Sequence, residues 1–469
     1  MGTGFLDLAL HLRPVGHGMP PNAYGSGSVY RNSVSEQASG GEAAMVENSS
    51  PERLIHWAKK GGLAVLDQGL FAGTNFLVGV LLARWLEPAA YGAFSAAYAV
   101  FLLVGTLHTA LWTEPMLVYG SGRFQEQYAT YQRLLLSGHW RFSLLCFVAF
   151  VAVGSGFIAS GSWSLGVSFL GLAVAAPLNL YLWLMRRSAY VLLEPHLAAY
   201  GGAFYLVLFL GASWGLLRWG WLNEGSALLA MGLAGQASGY LIQRSVRARV
   251  EETAPVASAE VRALHWSYGR WALVAGGLSW VPGNIYFVLL PAFHGLEAAA
   301  ALKALLNVVM PVLHFNGALA GLFVPAFVRA KALGRLFSTA LRALWVLLVP
   351  ALAYWLFLLF AGRSLMGWLY GEKYGSSGLA WLGFIAITAA VTNTFEAVLR
   401  AVERPDQVAL VYAIAALASV LVGVGLVYLA GFEGAILAMT GVNVVSALLF
   451  AVLGFREGRK DARSTSHSR

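Results

Sequence analysis

The feature that most constrains this chain is a succession of apolar segments, each about as long as a membrane is thick. About twelve such segments follow one another between residues 63 and 455. A helix of about 20 apolar residues crosses a hydrocarbon core of about 30 Å. Charged residues make up only 11% of the sequence, against about 25% in a soluble domain. The chain is therefore predicted to be an all-α polytopic membrane protein. The alternating ten-residue segments of a transmembrane barrel are absent from the sequence.

The spans divide into two sets of six. The predicted N-lobe covers residues 53–243, and the predicted C-lobe covers 269–455. A flexible cytoplasmic tail over 1–52, a cytoplasmic linker over 244–268 and a second tail over 456–469 complete the division. The predicted spans are 63–84, 92–119, 140–160, 164–185, 198–217, 225–243, 269–291, 299–328, 340–361, 378–399, 407–429 and 433–455.

The basic residues predict the orientation of these spans. The first residues lack the basic start and apolar core of a secretory signal, so the N-terminal tail is placed inside. With that choice, all but five of the 31 lysines and arginines fall on the cytoplasmic side, Arg186 and Arg187 among them. The five outer ones are Arg84, Arg218, Lys303, Arg363 and Lys373. Such a bias is typical of cytoplasmic loops and predicts that both termini are cytoplasmic. The net charge of +9 then reflects topology and not nucleic-acid binding.

An internal repeat relates the two lobes. Shifting the sequence by 210 positions aligns Leu86-Glu87 with Leu296-Glu297 and places Pro115 on Pro325. Both halves start on the same side of the membrane, which predicts parallel repeats related by an axis along the membrane normal.

The sequence contains no enzyme motif. It has no Gly-Lys dipeptide and therefore no P-loop, no HExxH and no Gly-x-Ser-x-Gly elbow. Cys146 is the single cysteine, which excludes an internal disulfide and a paired-cysteine metal site. We expect no catalytic residues, no metal and no cofactor.

The remaining signal is polarity inside the apolar spans. Charge in a membrane is costly, so such residues usually face a cavity or each other. The candidate substrate or ion pathway consists of Asp67, Gln68, Asn75, Arg84, Glu114, Arg270, Asn284, Lys303, Asn307, His314, Asn316, Glu396 and Arg400.

Each candidate also has a plainer interpretation. Asn and Gln side chains often serve only as hydrogen-bond links between helices, and His314 suits a packed histidine. Asp67, Arg270 and Arg400 suit snorkelling to the interface. Lys303 and Asn307 share one helix face, either to meet an anionic headgroup or as interfacial anchors. Prolines in the second, seventh and eighth spans permit rocking motions or form static kinks.

Two stretches resemble a known family. Asp67-Gln68-Gly69-Leu70-Phe71 and the residues up to Tyr91-Gly92 resemble the first helix pair of the polysaccharide flippases. Trp368-Leu369-Tyr370-Gly371-Glu372-Lys373-Tyr374 resembles the segment before their tenth helix. These flippases belong to the multidrug/oligosaccharidyl-lipid/polysaccharide exporter (MOP) superfamily.

The resemblance implies two six-helix lobes in a V shape around a central cationic cavity. It implies alternating access, with coupling to a proton or sodium gradient. The implied substrate is an undecaprenyl-pyrophosphate-linked oligosaccharide, moved to the outer leaflet of a bacterial cytoplasmic (inner) membrane for cell-surface polysaccharide synthesis. Membrane lipids, a polysaccharide polymerase and a chain-length regulator are the expected partners of a monomer. The chain departs from the family in having few basic residues in mid-membrane.

Other functions stay open. A multidrug or small-molecule antiporter of the same superfamily has the same fold. A polysaccharide polymerase or ligase would show a long outer loop with clustered arginine and histidine, and the stretch near 362–377 is only moderately polar. A membrane scaffold without transport activity would not need the polar residues listed above.

Overall fold

The computed structural model describes residues 67, 69–70, 72–250 and 255–467, with side chains as far as residue 458. The predicted N-terminal tail, the candidate Gln68 and part of the predicted linker lie outside the described residues. Within those ranges the chain is helical and forms the two lobes that the apolar pattern predicts.

Six helices build the N-terminal half. They are α1 (described over 72–85), α2 (Pro88–His108, continued by a π-helical turn Thr109–Thr113 and by Glu114–Gly120), α3 (Tyr128–Ala159), α4 (Trp163–Val191), α5 (Pro195–Arg218) and α6 (Glu224–Arg247).

Six more build the C-terminal half. They are α7 (Ser258–Asn284 with Tyr286–His294), α8 (Leu296–Ala320 with Phe323–Ala332), α9 (Leu336–Tyr370), α10 (Leu379–Ala401), and α11 and α12, which share the continuous segment Pro405–His467. Gly431, with φ 55° and ψ −125°, divides that segment. This positive φ favours glycine, because a Cβ atom would clash there.

Length and hydropathy identify eight of the described helices as able to cross a membrane, with Pro405–Gly458 counted once. The two parts of α7, bent by 46°, form a ninth. The α6 helix does not reach the same hydropathy. Its glycines explain how it still packs in the lobe, since a Cβ on Gly225, Gly232 or Gly239 would collide with α4. Small residues let helix backbones approach closely in a membrane.

Two helices extend beyond the predicted spans. The α7 helix begins at Ser258, within the segment predicted as a linker, and the last helix continues to His467, within the segment predicted as a tail. Hydropathy detects the part of a helix that lies in hydrocarbon. A helix that continues into the polar region keeps its backbone hydrogen bonds after the apolar pattern ends.

Three of the four prolines predicted to interrupt helices lie next to helix breaks. The fourth, Pro311, lies inside the continuous helix Leu296–Ala320. In α2 the π-helical turn directly precedes Glu114 and Pro115. In α8 the break at residues 321–322 precedes Pro325, and α7 bends just after Pro282. Proline cannot donate a backbone hydrogen bond, so the helix is weakest there.

The internal repeat is visible in the backbone. Leu193 and Glu403 are the only non-glycine residues with positive φ in the described chain, at 57° and 62°, and they are 403 − 193 = 210 positions apart. Each follows a helix end and precedes a proline at the same offset, Pro195 and Pro405. The turns also share their hydrogen bonds, which supports a common origin of α4–α5 and α10–α11.

The two halves touch most closely where α2 meets α8. A Cβ built on Gly92 would lie 1.9 Å from the carbonyl oxygen of Leu296. This contact joins the starts of the two repeated helices.

We therefore expect Gly92→Ala to lower the thermal unfolding midpoint of the purified protein, because overpacking costs about 1–3 kcal/mol. Gly277→Ala is the matched control, since nothing lies within 4 Å of its Cβ position. Equal midpoints for the two variants would show that the lobes do not rely on this contact.

Candidate functional site at the interface between the lobes

A network of charged side chains lies on both sides of the interface between the lobes. It is at the helix ends that the basic residues predict to be cytoplasmic, which we call the inner ends, with the outer ends opposite. In the N-lobe, Asp67 is fully buried and accepts hydrogen bonds from Arg186 and Tyr190, both at 2.7 Å. Its other oxygen, Oδ1, has no hydrogen-bond partner among the described residues. Asp67 therefore does not snorkel to the interface and instead ties α1 to α4.

Glu114 occupies the first turn after the break in α2. Its side chain is buried, and its Oε2 atom has no hydrogen-bond partner in the described chain. The cations that act on it most strongly are Arg187 of α4 and Arg400 of α10. Glu114 thus interacts electrostatically with both lobes.

The C-lobe contributes a second ion pair. Arg400 pairs with Glu396 one helical turn earlier, and Glu396 also accepts a hydrogen bond of 2.8 Å from Tyr412 of α11. With Asp67, Glu114, Arg186 and Arg187, this makes three acidic and three basic side chains. We call these six residues the inner charge network.

The repeat places opposite charges at equivalent positions. Arg186 and Glu396 are 396 − 186 = 210 positions apart, and both lie near the inner end of their helix. Each anchors the buried ion pair of its own lobe. The lobes therefore share a fold but carry opposite charges at this one equivalent position.

Sequence reasoning missed Arg186 and Arg187 because it assigned them to a cytoplasmic loop. They lie inside α4, which continues to Val191, and Arg186 is buried. The sequence did contain a signal that the helix continues past these arginines. The first turn-forming residues, Leu193 to Pro195, come more than one helical turn after Arg187. Tyr190 and Tyr412 were also missed, since tyrosine is common near membrane interfaces.

The outer ends of the lobes are joined by hydrogen bonds. Asn307 of α8 donates to the Tyr91 hydroxyl at 2.8 Å, and that hydroxyl donates to the carbonyl oxygen of Gly79 at 3.0 Å. Lys373, in the turn after α9, donates to the carbonyl oxygens of Arg84 and Leu86, both at 2.9 Å. We call these contacts the outer closure.

Lys303 lies beside this closure. Its ammonium group stands 5.3 Å from the ring centroid of Tyr98 and 5.8 Å from that of Phe287. Aromatic faces attract cations, so the rings of both lobes hold the charge. Lys303 and Asn307 are predicted to share one helix face, but they have different partners, since Asn307 donates a hydrogen bond to the Tyr91 hydroxyl.

Helix α7 crosses from one lobe to the other. The Nδ1 atom of His265 donates to the carbonyl oxygen of Leu111 at 2.8 Å, and Tyr131 then donates to Nε2 at 2.7 Å. Pro115 removes the backbone donor that an α-helix would offer to Leu111. Further out, Trp280 donates to the carbonyl oxygen of Ala99 at 2.9 Å.

The other candidates have more local contacts. Asn284 and His314 each bond to a carbonyl oxygen one turn back in their own helix, and Asn316 links α8 to α10 through Ala386. Arg270 is exposed and lies 5.6 Å from the ring of Trp271, away from the charge network.

Two candidates in α1 remain. The side chain of Arg84 is exposed, and only its carbonyl joins the closure. Asn75 is half-buried. Among the described residues, no group of three His, Cys, Asp or Glu side chains is arranged to hold a metal ion.

Solved structures share this fold. An inward-facing multidrug resistance MATE family transporter of the MOP superfamily matches with 13% identity and a TM-score of 0.72, over 85% of this chain and 99% of that one. An outward-facing structure of such a transporter matches with 12% identity and a TM-score of 0.61, over 86% and 95%. A MOP superfamily transporter from Pyrococcus furiosus, described as having a binding pocket of reverse polarity, matches with 14% identity and a TM-score of 0.61, over 86% and 96%.

The similarity is one of structure. No protein-family model matches the sequence, and no curated protein matches it. The chain has the two-lobed fold of the MATE transporters, which are not enzymes.

The buried ion pair of the N-lobe makes a testable prediction. Asp67→Asn leaves Arg186 buried beside a neutral partner, which costs about 3–5 kcal/mol. We expect a large drop in the thermal unfolding midpoint, and a smaller one in the double variant Asp67→Asn/Arg186→Gln. Arg123→Gln is the control, because its pair with Glu260 is largely exposed and worth about 0–1 kcal/mol. A double variant as unstable as Asp67→Asn would show that the charge pairing is not what matters.

The outer closure makes a second testable prediction. Removing the two hydrogen bonds of Lys373 by Lys373→Ala should raise the outward-open population about tenfold, if the loss is about 1.4 kcal/mol. Spin labels on Trp219→Cys and Trp368→Cys, both exposed at outer helix ends, would report longer distances in a Cys146→Ser background. Lys331→Ala, on the inner part of α8, is the control. An unchanged distance distribution would exclude Lys373 from the closure.

Proposed function

We propose that this chain is an alternating-access exporter that moves its substrate between the lobes and is driven by an ion gradient. The observation that carries the proposal is Glu114, a buried carboxylate on which cations of both lobes act. The fold shared with MATE transporters supports it.

The two sets of interlobe contacts suit such a cycle. In the present structure the outer closure is formed, as in an inward-facing state. Arg400 already acts on Glu114 in this state, and bringing the inner ends closer together would strengthen that attraction while the outer closure opens. A proton or metal cation at Glu114 would neutralise the carboxylate, weaken this attraction and favour reopening to the inside.

Multidrug or small-molecule antiport is the first candidate for the substrate class. It follows from the fold, since the matched MATE structures are described as multidrug resistance transporters. The aromatic rings of Tyr98 and Phe287 beside the interface suit organic molecules.

A lipid-linked oligosaccharide is the second candidate, favoured by a specific observation. Arg187, Arg400 and Lys303 place positive charge at both levels of the interface. These three basic groups support the second candidate. A pyrophosphate group prefers such surroundings, and the flippase-like stretches point the same way.

Glu114→Gln tests the proposed function in reconstituted vesicles with an imposed proton or sodium gradient. We expect gradient-driven transport to fall about tenfold, within the range of about 5–150-fold typical of coupling between sites. Protein abundance should be unchanged. Glu297→Gln, exposed at the outer start of α8, is the control. Full transport by Glu114→Gln would remove this carboxylate from the mechanism.

The same vesicles separate the two substrate classes. One set receives an organic-cation dye, and the other a short polyprenyl-pyrophosphate-linked sugar. Transport of the lipid, weakened by Lys303→Ala, would support flipping. Transport of the dye alone, unaffected by Lys303→Ala, would support antiport. Transport of neither would contradict the proposal as stated.

A further inference from the structure

A cavity of about 320 Å³ lies between α3, α4 and α6 of the N-lobe. None of the residues that line it belongs to the inner charge network or to the outer closure. Its volume is in the range of small-ligand sites. The proposed transport function does not use it.

The chemistry of the lining is that of an anion site. Arg133, near the start of α3, and Arg247, the last residue of α6, contribute the two charges. No carboxylate lines the cavity. Arginine offers paired donors that match the oxygens of a phosphate group.

The inner wall is polar. Tyr181 is buried, donates a hydrogen bond of 2.6 Å to Gln243 and stacks on Trp140 with ring centroids 5.8 Å apart. Gln236 and Gln243 of α6 complete this wall. Uncharged polar groups of this kind leave the two arginines as the only charges among the described residues that line the cavity.

The outer side of the cavity suits lipid. Trp140 and Tyr240 line it and are 43% and 56% exposed, as expected of aromatic residues at headgroup level. Leu144 and Leu145, one turn further along α3, are also exposed. A bound amphiphile would therefore have its phosphate near the arginines and its acyl chains along these leucines.

We propose that this cavity binds the headgroup of one anionic phospholipid, such as phosphatidylglycerol, from the leaflet in which α3 begins and α6 ends. The arginines bind the phosphate. The site is separate from the transport pathway and gives the N-lobe a fixed lipid contact.

Native mass spectrometry of the detergent-purified full chain tests the proposal. Phosphatidylglycerol, phosphatidylcholine and inorganic phosphate are titrated separately. We expect one phosphatidylglycerol to bind preferentially. The double variant Arg133→Gln/Arg247→Gln should weaken it about thirtyfold, from about 1 kcal/mol for each basic residue near an anionic lipid surface. Both arginines are exposed, so the variant should fold.

Arg329→Gln/Arg342→Gln is the matched control. It removes two exposed arginines from the inner ends of α8 and α9, and Arg342 lies beside the exposed Trp345 without lining this cavity. An equal loss of phosphatidylglycerol binding in the control variant would show that general surface charge causes the effect, and it would overturn the proposal. Equal binding of phosphatidylcholine would overturn it as well. Inorganic phosphate that displaces the lipid completely at millimolar concentration would identify a free-anion site instead.

Discussion

The structure depends on backbone carbonyl groups that find their donors in the other half of the molecule. Within a membrane, an unpaired carbonyl has no water to replace its lost partner. Pro88 and Pro115 lie four residues after Arg84 and Leu111, and a proline has no N–H group to donate to either carbonyl in an α-helical register. Lys373 and His265 supply side-chain donors from the C-terminal half. Trp280 forms a further hydrogen bond across the interface, to the carbonyl oxygen of Ala99 inside α2. The lobes are thus held together by a few directed bonds, which can be exchanged during a conformational change.

Most charged side chains of the inner charge network are paired within their own lobe. Asp67 with Arg186, and Glu396 with Arg400, form pairs whose partners are largely buried. Breaking either pair would leave an uncompensated charge in low dielectric. Glu114 differs, because its strongest charged neighbours belong to both lobes. A group in that position responds to the distance between the lobes, whereas the paired groups mainly hold each lobe in shape.

Much of this organisation was predictable from residues alone. The twelve spans, the proline interruptions and the two halves follow from hydropathy and from a shift of 210 positions, which the matching turns at Leu193 and Glu403 support. The helices extend beyond the predicted spans where apolarity and helicity diverge, as at the start of α7 and after residue 455. The same cause placed Arg186 and Arg187 in a loop. Of the candidate residues, Asp67, Glu114, Glu396 and Arg400 come together in one network, while Arg270 lies apart from it.

The sequence by itself determined that the chain is a two-part helical membrane protein, because apolar length and low charge leave a chain few other ways to satisfy its backbone in lipid. It also marked the polar residues that are expensive to place there. Only the tertiary structure decided which of them meet. Which side of a helix faces the interface depends on how the helix is rotated and on where helices cross. At one such crossing Gly92 packs against Leu296, and the lack of a side chain on the glycine lets the two helices come this close. The donors to the carbonyls at Arg84 and Leu111 were likewise hidden. Pro88 and Pro115, four residues later in each case, mark these carbonyls in the sequence, but no sequence pattern shows that Lys373 and His265 reach them.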